Sequence, residues 1–244
     1  MIKKYIKVGH RGAAGLAAEN SLDSFEQSLK HNVQMVELDV HLSKDNELIV
    51  IHDQTLNRTT DTKGKVCELT LEEIKKAKMK DGQSVPTLNE VINKINGRCG
   101  INIEIKDKQA AELVIKEWER CGLDSNSLIS SNHVSALQYV KKVQPDITTA
   151  LIYYATRTYL NQFIFSIASW LAWPISKKII LSRAKKADVK WINIAKEFLF
   201  PKFIKNLQAK GYKVGVWVVN KKRHISRCAK YGVDAIISDY PDKI

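Results

Sequence analysis

Hydrophobic and polar positions follow two periods along the chain, and the periods take turns. Strand-like runs fall at Tyr5–Gly9, 35–42 and 48–51, then at Ile101–Ile105, Leu128–Ser130, Thr148–Tyr153, Val189–Ile194, Lys213–Val219 and Ala235–Ser238. Helical spacing marks Ser21–His31, Ala110–Arg120, Val134–Val143, Pro201–Lys210 and Lys221–Tyr231. Thr70 with Glu73 is a capping-box pattern, and Thr87 with Glu90 repeats it to open a helix Thr87–Ile95. The run 48–51 returns after only Ser43-Lys44-Asp45-Asn46, too short a link for a parallel crossover, so it reads as the second arm of a hairpin.

The other eight strands alternate with helices, which calls for parallel strands and crossover connections. Eight such units in 244 residues are the count and size of an α/β fold of the (β/α)8 TIM-barrel type. A doubly wound open sheet is the competitor, weakened because no glycine-rich dinucleotide fingerprint follows the first strand. The expected organisation is one barrel domain over 1–244, with a small insertion after strand 2 at approximately 53–85 and an apolar loop or helix at approximately 157–183. A full eighth helix is not expected after Ser238.

Charge narrows the partners. Lys and Arg number 39 against 26 Asp and Glu, a net charge of +13, which draws the protein toward anionic partners such as nucleic acid, membrane surfaces or phosphate-bearing molecules. The lysines are scattered pairs with no zinc-finger or RNA-binding signature, so nucleic acid is not expected. Cys67, Cys99, Cys121 and Cys228 are far apart, fitting free thiols in a reducing compartment. The start MIKKYIKVGH lacks a signal-peptide apolar core, so a cytoplasmic location is expected.

The chemistry concentrates in residues 36 to 53. Glu37, Asp39 and His41 alternate with Val36, Leu38, Val40 and Leu42, so two carboxylates and an imidazole share one strand face. A turn near Asp45-Asn46 sets His52 roughly opposite Asp39. With no lysine at positions that would pair with these acids, they read either as a metal site with an acid/base beside it or as the solvated face of a hairpin. In a barrel, chemistry gathers at the C-terminal strand ends. His10 and Arg11 end the first strand, Glu104 and Lys106 the third, Trp217 and Asn220 the seventh, and Asp239 follows the eighth. That convergence favours the functional reading, although Glu104 and Lys106 alone would also serve as a structural ion pair. Trp118 and Trp191 read as packing residues, and His31, His133 and His224 as surface or capping residues.

The ordered set HRG at 10–12, AEN at 18–20, ELDV at 37–40, HD at 52–53, RTT at 58–60, PTL at 86–88, EIK at 104–106, WVVN at 217–220 and SDYP at 238–241 resembles the glycerophosphodiester phosphodiesterases. The resemblance covers essentially the whole chain. It implies a TIM barrel with a divalent Mg²⁺ or Ca²⁺ in its mouth, hydrolysing a small-molecule glycerophosphodiester to an alcohol and glycerol 3-phosphate. It further implies Glu37, Asp39 and Glu104 as metal ligands, His10 and His52 as the catalytic acid/base pair, and Arg11 and Lys106 as phosphate contacts. Trp217 is placed beneath the substrate's glycerol. Ala18 stands where the family usually has proline, and Ser21 and Ser238 where threonine is commoner.

From Thr158 to Ser176 no charged residue occurs. Asn161, Gln162, Ser166, Ser169 and Pro174 dilute the stretch too far for a membrane span. Two readings stand: the fifth barrel helix with extra length, or an interfacial element whose Trp170 and Trp173 give peripheral contact with an anionic membrane. The second reading admits a lysophospholipase-D-like enzyme acting on membrane lysophospholipids. A non-catalytic anionic-lipid-binding barrel is the rival from another class, disfavoured because binding alone has no need of two histidines and three acids.

Overall fold

The computed structural model describes residues 5–153 and 173–244. Eight parallel strands close into a barrel: β1 (Ile6–Gly9), β2 (Met35–Leu42), β4 (Gly100–Ile105), β5 (Leu128–Ser131), β6 (Thr149–Tyr153), β7 (Trp191–Ala195), β8 (Lys213–Trp217) and β9 (Ala235–Ser238). Parallel pairing of β1 with both β2 and β9 completes the circle. Strand β3 (Leu48–Val50) lies outside it, antiparallel to β2.

Helices α1 (Leu22–Lys30), α3 (Leu88–Ile95), α4 (Ala111–Arg120), α5 (Val134–Val143), α6 (Trp173–Ala187), α7 (Pro201–Gln208) and α8 (Lys222–Tyr231) connect the barrel strands, and the short α2 (Leu71–Lys76) belongs to the excursion after β3. Both expected capping boxes form: the hydroxyls of Thr70 and Thr87 accept from the amides of Glu73 and Glu90, whose carboxylates accept in return from the threonine amides. After β9 comes a short 3-10 turn, Pro241–Lys243.

The alternation along β2 has a different consequence on each side. Val36, Leu38 and Val40 are fully buried and face the helices, packing with Val91, Ile95, Ile103 and Val114. On the inner face, Met35 joins Val8, Leu128, Ala150, Trp191 and Ile237 in an apolar layer that plugs the barrel. Glu37, Asp39 and His41 follow on that same face above the plug. The barrel is thus hydrophobic at its base and charged toward its C-terminal rim. Trp118 packs in the outer shell and Trp191 in the plug, as expected of them.

The excursion after β3 has its own small core, in which Ile49, Ile51, Leu56, Ile74, Met79 and Val85 pack together. This stabilises a polar segment that leans over one edge of the rim. The hairpin turns around Asp45, pairing Val40 with Val50, so Ile51 rather than His52 lies opposite Asp39. Trp217 ends β8 two residues before the boundary expected at Val219. Cys67, Cys99, Cys121 and Cys228 are all free. Among the described residues no helix is long and apolar enough to cross a membrane. Of the apolar stretch expected at 157–183, residues 157–172 fall outside the described residues, and 173–183 lie in α6.

Candidate active site at the barrel mouth

Gly9 ends β1, and the next residues turn sharply over α1. Arg11 and Asn20 take positive φ values of 49° and 59°, and Gly12 takes 78°. A Cβ on Gly12 would stand 2.5 Å from Ser24 Oγ and 2.6 Å from the Ser24 carbonyl carbon, so no side chain fits there. Ser24 fastens the loop: its hydroxyl accepts from the Ala13 amide at 2.8 Å and donates to the Arg11 carbonyl at 2.7 Å. His10, Arg11 and Asn20 are held over the charged layer as a result.

Strand register assembles the acids. β2 pairs with β4 so that Asp39 lies beside Glu104, and Glu37 beside Asn102. One carboxyl oxygen each from Glu37, Asp39 and Glu104 lies within 4.8 Å of the others. The expectation that no lysine pairs with these acids fails. Lys106 shares the inner face with Glu104, and its Nζ reaches Glu104 Oε1 at 2.5 Å and Asp39 Oδ1 at 2.9 Å. Glu104 and Lys106 therefore form an ion pair, and they form it inside the acidic cluster.

Further donors close in on Asp39. Asn20 Nδ2 donates to its Oδ2 at 2.9 Å, and Arg11 Nε stands 3.4 Å from the same oxygen, an ionic contact without hydrogen-bond geometry. The Arg11 amide donates to Glu37 Oε2 at 2.9 Å, and its Nη1 to Glu19 Oε1 at 2.7 Å.

These contacts divide the carboxylates. Burial opposes the charge of Asp39, but Lys106 and Arg11 outweigh it and hold the carboxyl far below its ordinary value. Glu37 goes the other way: burial, then repulsion from Asp39 and Glu104, push it well up. Glu104 is raised mainly by burial, against the pull of Lys106. Burial works against the Lys106 ammonium, yet Asp39 and Glu104 raise it nonetheless.

Two histidines flank the cluster, each oriented by an acid. His10 Nδ1 lies 2.6 Å from Asp239 Oδ1, and Asn220 Nδ2 donates to Asp239 Oδ2 at 2.6 Å. His10 Nε2 is 3.9 Å from Glu37 Oε2. His52 Nδ1 lies 2.7 Å from Asp53 Oδ1, and Arg58 clamps Asp53 and Glu19 together through four contacts of 2.7 to 3.1 Å. With Nδ1 donating to a carboxylate, each ring turns its other nitrogen, Nε2, free to exchange a proton. Burial lowers the His52 pKa to about 4 despite the attraction of Asp39, so the ring is neutral near pH 7. Hydrogen bonding to Arg58 lowers Asp53 to about 2.

All of this lines one cavity of about 1050 Å³. Seven of the eight residues expected at the site, His10, Arg11, Glu37, His52, Glu104, Lys106 and Trp217, face it. Asp39 lies just beneath, 1% exposed. The Trp217 ring donates through Nε1 to the Asn193 carbonyl at 3.2 Å. His41 is on the expected face, but its Nε2 meets the His52 carbonyl at 3.1 Å, so it supports the His52 loop. His133 and His224, expected only as surface or capping residues, line the mouth as well.

The donor set suits a hard divalent cation. It is all oxygen, and Glu37 Oε1 and Asn102 Oδ1 are buried without any hydrogen-bond partner. Buried acceptors left unsatisfied are costly unless something cationic or donating fills the space. Glu37, Asp39 and Glu104 are the residues that would hold such an ion.

Sequence reading gave no role to Glu19, Asp53 or Arg58, and placed Asn220 on the rim without its partner Asp239. Glu19 and Arg58 sit in recognisable triplets, but only the folded chain shows that they tie the first loop to the excursion. Asp239 was placed on the rim without its partner, because 229 positions separate it from His10.

A parallel barrel with an acid cluster and two carboxylate-held histidines at its C-terminal rim belongs among the barrel enzymes that work at that face. The model of the glycerophosphoryl diester phosphodiesterase family matches residues 10–243. A glycerophosphodiester phosphodiesterase of Caldanaerobacter subterraneus subsp. tengcongensis is 30% identical, over 99% of this chain and 96% of that protein. Its counterpart from Bacillus altitudinis is also 30% identical, over 96% and 94%. A phosphodiesterase of Oleispira antarctica, solved in complex with the product sn-glycerol 3-phosphate, superposes with a TM-score of 0.83 at 26% identity, over 99% and 95%. The chain belongs to the glycerophosphoryl diester phosphodiesterase family.

Proposed function

We propose that the protein hydrolyses glycerophosphodiesters to an alcohol and sn-glycerol 3-phosphate, with Mg²⁺ or Ca²⁺ held by Glu37, Asp39 and Glu104. The observation that carries this reading is the meeting of those three carboxylates between two histidines whose Nε2 atoms are free. The product bound to the Oleispira antarctica relative has the chemistry expected of such a site. A bound divalent cation supplies neutralisation of the phosphodiester's charge, the main barrier to attack on these esters.

The chain's own residues do the rest. Arg11 and Lys106 present guanidinium and ammonium groups to phosphate oxygens at the cavity floor. One histidine Nε2 accepts the proton of the attacking oxygen, and the other, entering the step as the imidazolium, gives its Nε2 proton to the leaving alcohol. Each transfer contributes roughly 10²- to 10⁴-fold. Asp239 and Asp53 keep the two rings in the tautomer that leaves Nε2 available and stabilise the imidazolium when it forms. Trp217 offers an apolar wall for the glycerol carbons. The whole site rests on one barrel domain with its excursion, and a cytoplasmic location accords with the free thiols. No specific observation favours the lysophospholipid or binding-only readings.

The test is turnover of glycerophosphocholine and glycerophosphoethanolamine with Mg²⁺, with Ca²⁺ and with EDTA. Cation-dependent release of the alcohol is expected. Full activity in EDTA, or in His10→Ala or Glu104→Gln variants, would refute the assignment.

A further inference from the structure

The cavity has two unlike walls. One carries the acids and their histidines, on β2 and β4 and just after β1, β3 and β9. The turn after β7 and the start of α8 after β8 bring Lys196, Lys221, Arg223 and His224 into the lining of the same cavity. In the closed order of strands β7 lies four places from β2, and β8 four from β4, so this basic wall looks straight across at the carboxylate cluster.

Most of its charge has no acidic partner among the described residues. Lys196 has Glu197 at 3.4 Å. Among the described residues no carboxylate pairs with Lys221 or Arg223, and residues 1–4 and 154–172 contain no Asp or Glu that would supply one. The pKa of His224 is lowered first by burial and then by Arg223, Lys196, Arg227 and Lys221, a measure of how closely the cations crowd. Nor do they help α8, whose first turn holds no acidic residue and whose cap, Lys221, makes no side-chain hydrogen bond. Cations at that end oppose the helix dipole. Side chains that break a local rule at a cavity wall point to a ligand.

Resting on the function proposed above, we infer that Lys221 and Arg223, with Lys196, form an anion subsite. It takes a carboxylate or second phosphate carried by the substrate beyond the scissile diester, so the enzyme favours diesters with additional negative charge. The cavity has room for this: at about 1050 Å³ it is as large as pockets that enclose whole drug-sized ligands, roughly 300–1000 Å³. A membrane surface is the other anionic partner such residues would suit, but they line the cavity with the catalytic groups, which favours a ligand inside it.

Glycerophosphoserine and glycerophosphoethanolamine differ by one carboxylate and make the test. kcat/KM for each is measured in the wild type, in a Lys221→Ala, Arg223→Ala double variant, and in Lys221→Arg. Calorimetric binding of both diesters runs alongside. The wild type is expected to prefer the serine diester by about tenfold, the scale of one charge-assisted contact. The double variant should lose that preference through KM and leave the ethanolamine diester within about twofold, while Lys221→Arg, which keeps the charge, should keep the preference. Equal losses on both diesters, or an unchanged ratio, overturn the subsite. So does weakened sedimentation with phosphatidylserine vesicles at an unchanged ratio, which would assign the cations to a membrane. Absence of turnover by the wild type refutes the function instead, and calorimetry still reads the subsite through a serine-over-ethanolamine binding preference.

Discussion

Replacing Asp239 by asparagine removes one charge and leaves the shape almost intact, yet its neighbours allow the amide no comfortable orientation. Asp239 now accepts twice, from His10 Nδ1 at 2.6 Å and from Asn220 Nδ2 at 2.6 Å. In Asp239→Asn, turning the amide oxygen to His10 sets two NH2 groups against each other. Turning it to Asn220 instead points an NH2 at His10 Nδ1 and forces the ring proton onto Nε2, the atom that must be free to accept. The lost charged hydrogen bond alone is worth about 1.5–3 kcal/mol, or roughly 10- to 150-fold in rate. The wrong tautomer extends the loss toward the roughly 10⁴-fold ceiling of a general acid or base. An exchange variant separates the two effects. Asp239→Asn with Asn220→Asp gives the new amide an acceptor at position 220, so its oxygen is free to face His10 and the correct tautomer returns. We expect kcat for glycerophosphocholine to fall about 10²- to 10⁴-fold in the single variant and to recover about tenfold or more in the exchange, with KM little changed. A coupled choline-release assay reads kcat, and circular dichroism melts check folding. A single variant within threefold of wild type, or an exchange no better than the single, would refute the role given to Asp239.

Three other outcomes follow from the geometry. Arg58→Ala frees Asp53 and Glu19 together and should lower kcat/KM by about tenfold or more, with Arg58→Lys intermediate, as initial-rate kinetics would show. Mg²⁺ or Ca²⁺ at a hundredfold excess over its Kd should stabilise the fold by about 2.7 kcal/mol in urea titrations, and Glu37→Gln should largely remove that gain. The His52 pKa lies near 4, below the ordinary 6.5, so the unfolded chain binds more protons between those values. Stability from this residue is therefore complete above about pH 6.5 and lost as pH falls toward 4; urea midpoints against pH should show that slope, flattened in His52→Gln and retained in part through His41, whose pKa is also lowered.

The sequence makes visible whatever depends on spacing along one strand or helix. Glu37 and Asp39, and Glu104 and Lys106, are two apart, and so their common face was legible before any fold was known. The barrel count was legible for the same reason, since each strand and helix announces its own period. Contacts between strands were not. Whether Lys106 reaches Asp39 depends on the β2 to β4 register, and that register is set by apolar packing far from either residue. The hairpin slipped by one from its expected pairing because the turn centres on Asp45 alone. Bridges such as Arg58 to Glu19, 39 residues apart, depend on how the excursion's own small core leans over the rim.

The charges of the site show why its parts belong together. Glu37, Asp39 and Glu104 bring three negative charges when ionised, and the permanent cations in contact with them are Arg11 and Lys106. One negative charge is left over, and the protein places the strain on Glu37, the carboxyl raised furthest by burial and by its two acidic neighbours. A divalent cation turns that deficit into one positive charge in excess. A phosphodiester carries a single negative charge, so cation and substrate together bring the cluster to neutrality where either alone does not. Binding of each should therefore strengthen binding of the other, and reciprocally by the same factor. Calorimetric titration of Ca²⁺ into the Asp239→Asn variant, with and without glycerophosphoethanolamine, measures that coupling while turnover is suppressed. Equal cation affinity in both titrations would show that Glu37 is balanced by some other charge.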